Sequence, residues 1–426
     1  MQLVEEYEKE SSLKATLIPW LVCFAASLFF FYEFIQGNMF ASIADNIMHD
    51  FHIQADKMTY LSSIYYLSNV IFLFFFGFLL DRFFCFKIIM IAMLLCVLST
   101  FVLAHAQSFY LALFCRFVTG IGSAFCFLGP IRIASRWFPP KRMAMVTGAI
   151  VTMAMTGGML AQYPLTQLVL HVGWREAVMM VAWLGLLMLA IMILLVKDKP
   201  DNAQPTVRAS TGVFVRAKQA YLNPQTLRAA LYASLMNMAV AVFGAMMGSL
   251  YLMQRLDISK ADAAMVNSLL FLGAIVGGPL IGWASDKMGV RVLPMKIGAV
   301  ASFITVLGIL YFPVSLGLMA VLFFLLGFFT AAQVISYAFV AESSPSSMTA
   351  TAVSVVSILA QGGYIVYQNM FSALLLSHGE MRMVDGVPIY SLADYQTAAI
   401  ILPLGLVLAL LILMRLKETH CRHVAG

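Results

Sequence analysis

The stretch GFLLDRFFCFK (Gly77–Lys87) returns 205 residues later as GWASDKMGVRV (Gly282–Val292). Both copies read Gly-x-x-x-Asp followed by a base, at Asp81-Arg82 and Asp286-Lys287. A second pair, SRWFPPKRMAMVTG (Ser135–Gly148) and AESSPSSMTATAVS (Ala341–Ser354), places Pro139 and Pro345 206 apart. Gly120 and Gly327 stand 207 apart. Three pairs at nearly one offset, close to half the chain, describe an internal duplication. The two copies must therefore fold alike.

What each half contains follows from composition. The 426 residues are 62% hydrophobic and 11% charged, with mean hydropathy +0.90. Soluble domains carry roughly 45–50% apolar and about 25% charged residues, so this chain could not cover a water-facing surface. A membrane-spanning helix needs about 20 mostly apolar residues. Such runs fall near 15–40, 58–80, 87–105, 108–135, 143–166 and 176–196, and again near 229–253, 263–284, 293–312, 316–341, 349–376 and 395–415. Strand-length alternation of the outer-membrane barrel kind is missing. The expectation is an all-α membrane protein of twelve spans in two pseudo-symmetric six-helix bundles. Residues 15–196 and 229–415 form the bundles, 197–228 a polar cytoplasmic linker, and 1–14 and 416–426 cytoplasmic tails.

Orientation follows from the bases, because cytoplasmic loops collect Lys and Arg. With the N-terminus inside, nineteen of the 26 bases lie in inner loops, the linker and the tails. Five, Lys57, Arg175, Arg255, Lys260 and Arg382, lie outside, and Arg116 and Arg132 fall within a span. Both termini are expected in the cytoplasm. The start, MQLVEEYEKESSLK, is too acidic and polar for a cleavable signal peptide. The six cysteines form no CxxC pair and read as packing residues, with neither a disulfide frame nor a metal site. No HExxH, GxSxG or P-loop sequence occurs, so neither an enzyme nor an ATP-driven pump is expected, and no cofactor. Nucleic acid is not expected as a partner, and the chain reads as a monomer.

These residues resemble the major facilitator superfamily over the whole chain. Gly77–Arg82 is similar to that family's loop between spans two and three, repeated at Gly282–Lys287. The first copy departs at Phe84 and Cys85, where the family has Gly and a base; the second keeps Gly289 and Arg291. Arg116, Gly120 and Gly122 resemble its fourth-span Arg-x-x-x-Gly-x-Gly pattern, and Arg136-Trp137-Phe138-Pro139 that span's end. FYEFIQGNMFASIADNIMHDFHI (Phe31–Ile53) looks like the phagosomal transporter family of intracellular bacteria, itself similar to lysosomal dipeptide carriers. That resemblance implies a bacterial inner membrane and import of amino acids or nucleosides.

Of twenty acidic residues only Glu33 lies well inside a span. A charge at membrane depth costs roughly 2.5–3.5 kcal/mol on insertion scales and marks a pathway with a partner nearby. Arg116 lies at a similar depth in span four. The resemblance places spans one, four, seven and ten around the central cavity, and so both residues beside it. The duplicated positions are Ala239 and Phe323, so the charges are not symmetric although the scaffold is. A charge that folding required would be expected in both halves. The expectation is therefore that Glu33 binds and releases a proton with Arg116 as charge partner, or that the two grip a zwitterion.

Candidate cavity residues are Gln36 and Asn38 beside Glu33, Tyr65 and Asn69 in span two, and Tyr232 and Asn237 in span seven. Gln333 and Tyr337 in span ten, and Gln361, Tyr364 and Gln368 on one face of span eleven, complete the set. Gly77, Asp81, Arg82, Gly282, Asp286 and Lys287 are the candidate gating groups, each aspartate expected to meet a helix N-terminus or an arginine across the inner seam. The leading reading is a proton-coupled importer of a small polar nutrient, an amino acid. The alternatives are a nucleoside importer, a drug or siderophore exporter, and a receptor without transport.

Overall fold

The computed structural model describes residues 2–82, 85–138, 143–196, 222–344, 349–378, 382–384 and 387–422. Pro139, Pro345 and most of the linker lie outside them. The described residues are helical but for turns, loops and one short antiparallel hairpin, Arg382–Val384 with Val387–Ile389, between spans eleven and twelve. Among the described residues nine helices are long and apolar enough to cross a membrane. The helices Ala55–Arg82, Met143–Leu160 with Tyr163–Val172, and Thr349–His378 fill the three remaining places of the expected twelve. The all-α expectation thus holds for the spans, and the hairpin is an addition to it.

Several spans are interrupted, and proline explains three of the breaks. Proline lacks an N–H and its ring clashes with the carbonyl four residues back. Span four divides into Phe109–Ser123 and Leu128–Trp137 ahead of Pro130. Span five divides at Ala161–Gln162 ahead of Pro164, and span twelve at Ala399–Ile400 ahead of Pro403. Span seven is different: between Pro224–Met236 and Gly248–Leu256 it runs as a π-helix, Val240–Met247. Span ten passes through a 3₁₀ turn at Ala331–Val334. After span one (Gln2–Asn38) a separate helix, Phe40–Phe51, lies at the end of the bundle away from the basic loops. That end is called the far end below, and the other the basic end.

The duplication has a physical content. A Cβ on Gly120 would sit 2.2 Å from the Tyr65 carbonyl oxygen, and one on Gly327 1.8 Å from that of Leu270. In both halves a glycine lets the fourth helix touch the backbone of the second. A pair the sequence reading did not match is close-packed too, Gly157 against the Phe31 carbonyl (2.2 Å) and Gly363 against the Ser234 hydroxyl (2.2 Å). Span five thus meets span one as eleven meets seven. Ser108 and Ser315, also 207 apart, both cap their helices, accepting from Leu111 N (3.2 Å) and Leu318 N (3.4 Å).

Each half buries its own apolar core, one drawn from residues 22–196 and the other from 229–416. Three span-two residues, Ala55, Tyr65 and Tyr66, pack into the second core. The halves meet along two seams, span two against eleven and span five against eight.

Gly120→Ala and Gly327→Ala are each expected to cost about 1–3 kcal/mol, the range for overpacking, read as a lower unfolding midpoint in detergent. Gly278→Ala, where an added Cβ meets nothing within 4 Å, is expected to leave the midpoint unchanged or slightly raised.

Candidate functional site

Glu33 and Arg116 are both withdrawn from solvent, at 1% and 0% exposure. Glu33 lies five residues before the end of its helix and Arg116 seven after the start of its own, so their depths match. They do not form the direct ion pair that the sequence suggests. Tyr65 stands between them: its hydroxyl donates to Glu33 Oε2 (3.0 Å), and its ring lies 4.5 Å from the Arg116 guanidinium. Phe40 covers the guanidinium at 4.6 Å. Arg116 donates Nη1 to the Gln36 carbonyl (3.0 Å) and Nε toward the Leu61 carbonyl (3.4 Å). Aromatic faces and carbonyls thus replace a counter-charge, which a guanidinium tolerates because it is planar and weakly hydrated.

The cluster retains spare capacity. Glu33 Oε1, Arg116 Nη2 and both side-chain atoms of Gln36 are buried without a hydrogen-bond partner. A buried polar atom left unpaired costs about 1–3 kcal/mol, more for a charged group. An acceptor, a donor and an amide are thus left unsatisfied within one turn of span one and at Arg116 of span four.

The other candidates sort by partner. Asn38 donates to the Phe34 carbonyl of its own helix (2.8 Å). Asn69 donates to Ser123 Oγ (2.7 Å), bracing span two on span four, and Tyr232 donates to the Met295 carbonyl (2.9 Å), bracing seven on nine. Their bonding is between helices. Asn237 and Gln333 form a reciprocal amide pair between spans seven and ten. Gln333, Tyr337 and Gln361 are only half-buried. Gln368 donates to the Ala241 carbonyl (3.1 Å) in the π-helical segment. Tyr364 stacks on Tyr66, centroids 4.5 Å apart, across the seam. Arg132 is half-buried in Leu128–Trp137, toward the basic end.

The sequence reading missed the far-end closure. Gln162 of span five donates to the Gly244 carbonyl of the π-helix (2.8 Å). Asn267 of span eight donates to Gln162 Oε1 (2.7 Å) and to the Phe243 carbonyl (3.0 Å). Lys260 binds Asp45 (2.6 Å) and Asn46 (2.9 Å) from the helix Phe40–Phe51. Tyr390 Oη accepts from Ala55 N (3.3 Å). These bonds between the halves lie from the far end toward mid-span. Only the freed carbonyls of a π-helix could have signalled this, and hydropathy does not reveal a π-helix.

The second copy of the repeated loop is organised, but not as expected. Arg291, 8% exposed, binds Asp286 (2.5 Å) in its own loop and Glu342 (2.7 Å) at the end of span ten. Asp286 therefore meets an arginine within its half, not across the seam. The carboxylate at a helix N-terminus is Glu418 instead, which accepts from Arg291 N and Val292 N (both 2.8 Å) at the start of span nine. Thr419 adds a bond to Glu342 (2.6 Å), docking the chain's tail onto this loop. Lys287 lies over the Trp283 ring at 4.9 Å, and a Cβ on Gly282 would meet nothing within 4 Å. The side chains of Gly77, Asp81 and Arg82 lie outside the described residues.

Two six-helix bundles packed along paired seams, with an ionisable cluster buried at membrane depth, define a transmembrane carrier and not an enzyme. The model described as Major Facilitator Superfamily matches residues 22–249 and 229–423. The chain belongs to the Major Facilitator Superfamily and is a transporter of small solutes set in the lipid bilayer. It is similar in fold to a bacterial homolog of the human lysosomal transporter Spinster in its inward-facing, unoccupied conformation. The TM-score is 0.70 at 20% identity, over 93% of this chain and 95% of the other. The occupied form of that homolog gives 0.65 at 18% identity, over 92% and 94%. The nucleoside transporter NupG, as a single-substitution mutant, gives 0.71 at 13% identity, over 93% and 99%. No curated protein matches the chain.

Asn267→Ala removes the bond to Gln162 across the halves and the bond that holds Asn267 on the π-helix at Phe243. It is expected to increase labelling of a cysteine at Thr59, which touches Met246 across the halves, by about fivefold, the effect of roughly 1 kcal/mol. A second expectation concerns Glu418. Partial burial would raise its carboxyl, but backbone N–H donors of Arg291, Val292, His420 and Thr419 hold it below the ordinary value of 4.5. Its contribution is complete above that value and is lost as pH falls through the lower, folded one. Protection of the 419–422 amides, corrected for the intrinsic pH dependence of exchange, is expected to fall on acidification below pH 4.5, a response that Glu418→Gln removes.

Proposed function

We propose that this protein imports a small polar nutrient, an amino acid, by proton symport across a bacterial inner membrane, with both termini in the cytoplasm. The basic end then faces the cytoplasm, and the closed far end faces outward. The reading is carried by Glu33 and Arg116, each buried and each left with one unpartnered polar atom. Glu33 Oε1 is free to take a proton or an ammonium group. Arg116 Nη2 is free to take a carboxylate.

An amino acid supplies both complements, and Gln36 supplies an amide to either. Proton and solute then bind within one cluster, so that release of one favours release of the other. Opening the two seams at alternate ends exposes the cluster first to one side and then to the other. The docked loop around Arg291, Asp286 and Glu342 lies at the end that opens inward. A nucleoside has no carboxylate for Arg116, which places it second.

Two measurements test this. A thermal-shift screen of the purified protein against amino acids and nucleosides is expected to show stabilisation by a zwitterion, since a ligand bound to the folded state raises its stability by mass action. In proteoliposomes with an inward proton gradient, Glu33→Gln is expected to abolish accumulation of that ligand while facilitated exchange persists. Arg116→Gln is expected to weaken binding at least tenfold, as for loss of a charge-assisted bond of about 1.5–3 kcal/mol. Full gradient-driven accumulation by Glu33→Gln would remove that residue from coupling.

A further inference from the structure

Adjacent residues on a helix point about 100° apart, so Tyr65 and Tyr66 serve two different surfaces. Tyr65 faces the Glu33–Arg116 cluster. Tyr66 faces the seam, its ring stacked on Tyr364 of the other half at 4.5 Å and tilted 35°. Its hydroxyl meanwhile donates to the Gly37 carbonyl (3.0 Å), one turn beyond Glu33 on span one. The two tyrosine rings meet edge to face at 4.9 Å and 86°. A Cβ on Gly37 would sit 3.2 Å from Tyr66 Oη, so the glycine leaves room for that hydroxyl on span one. Both tyrosines also belong to the apolar core of the opposite half.

We infer that Tyr66 is a positioning residue that couples the state of the Glu33–Arg116 cluster to closure of the seam between the halves. Resting on the proton-coupled reading above, the inference adds a route by which the cluster reports its state. Glu33 and Gly37 lie one turn apart on a rigid helix. A change at Glu33 that moves Tyr65 moves its edge-packed neighbour, and Tyr66 cannot shift without altering its contact with Tyr364. In the reverse direction, parting of spans two and eleven pulls Tyr66 from Tyr364 and loosens the Tyr65 hydroxyl on Glu33. The other titratable or charged groups facing Glu33 are Cys96 of span three, Arg116 and Cys126 of the fourth-span segment, and Tyr32 beside it. Of these side chains and Tyr66, it is Tyr66 that meets a ring of the opposite half.

The test needs no substrate. Spin labels on Tyr110→Cys and Phe312→Cys, exposed far-end positions in opposite halves, report far-end separation in liposomes between pH 5 and 8. Cys85 and Cys421 are replaced by serine, the remaining cysteines being buried. The ratio of closed to open populations is expected to change with pH in the parent chain and to be fixed in Glu33→Gln. In Tyr66→Phe, which keeps the ring but loses the bond to Gly37, and in Tyr364→Leu, which loses the stack, both populations are expected to persist. Their pH response is expected to shrink by about fivefold or more, the lower end of ordinary coupling. A merely structural role would lower thermal stability and leave that response unchanged. A parental response in Tyr66→Phe, with Glu33→Gln still unresponsive, overturns this inference alone. A parent that ignores pH, or a Glu33→Gln chain that responds as the parent does, overturns the coupling reading and this inference with it.

Discussion

Hydrocarbon offers no hydrogen bond to a peptide group, so each backbone N–H and C=O inside the bilayer must find its partner within the protein. A straight helix meets this demand alone; a broken one does not. At the far end of this transporter, the breaks are where side chains converge. Ser42 donates to the carbonyls of Ala161 and Gln162 at the break in span five. Gln162, Asn267 and Gln368 donate to three carbonyls of the π-helical turn in span seven. Two of these donors belong to the same half as the π-helix and one to the other. At Gln162, satisfying the backbone and closing the far end are the same act.

A second constraint acts on the scaffold as a whole. Duplicated helices pack in duplicated ways only if their backbones approach equally closely, and glycine alone allows contacts near 2 Å from an added Cβ. Gly120 and Gly327 meet that need against backbone carbonyls in both halves, while Gly157 packs on the Phe31 carbonyl and its counterpart Gly363 on the Ser234 hydroxyl. On this symmetric frame the charges are placed once. Phe323, at the position corresponding to Arg116, is fully buried and packs on Phe243 at 5.7 Å. One half is thus an apolar counterpart of the half that carries the ionisable cluster. The seam tyrosines join the two.

The spans, their number and the duplication were legible in the residues because lipid imposes length and apolarity on every helix. The depth of Glu33 and Arg116 was legible for the same reason, since depth follows from counting residues along a helix of fixed rise. Their relation was not. That Tyr65 stands between them depends on how span two rotates against spans one and four, and hydropathy does not set rotation. Asn69 and Tyr232 read like cavity groups, yet they brace neighbouring helices. Polar residue type alone does not distinguish a ligand contact from a helix contact. The role of Asp286 was misjudged similarly: Arg291 lies five residues ahead in its own loop, and the carboxylate capping span nine comes from Glu418, 132 residues beyond Asp286.

The sequence by itself determined that the chain lives in lipid, that it is a folded duplication, and that Glu33 and Arg116 interrupt its apolar spans at matching depths. Periodicity, length and composition carry that information along the chain, one residue at a time. Only the tertiary structure decided which atoms of those groups remain unpaired, which amides hold the far end shut, and that two adjacent tyrosines face a charge cluster and a seam. These depend on helix rotation and on contacts between residues up to 335 positions apart. Packing fixes such contacts, and no local pattern encodes them.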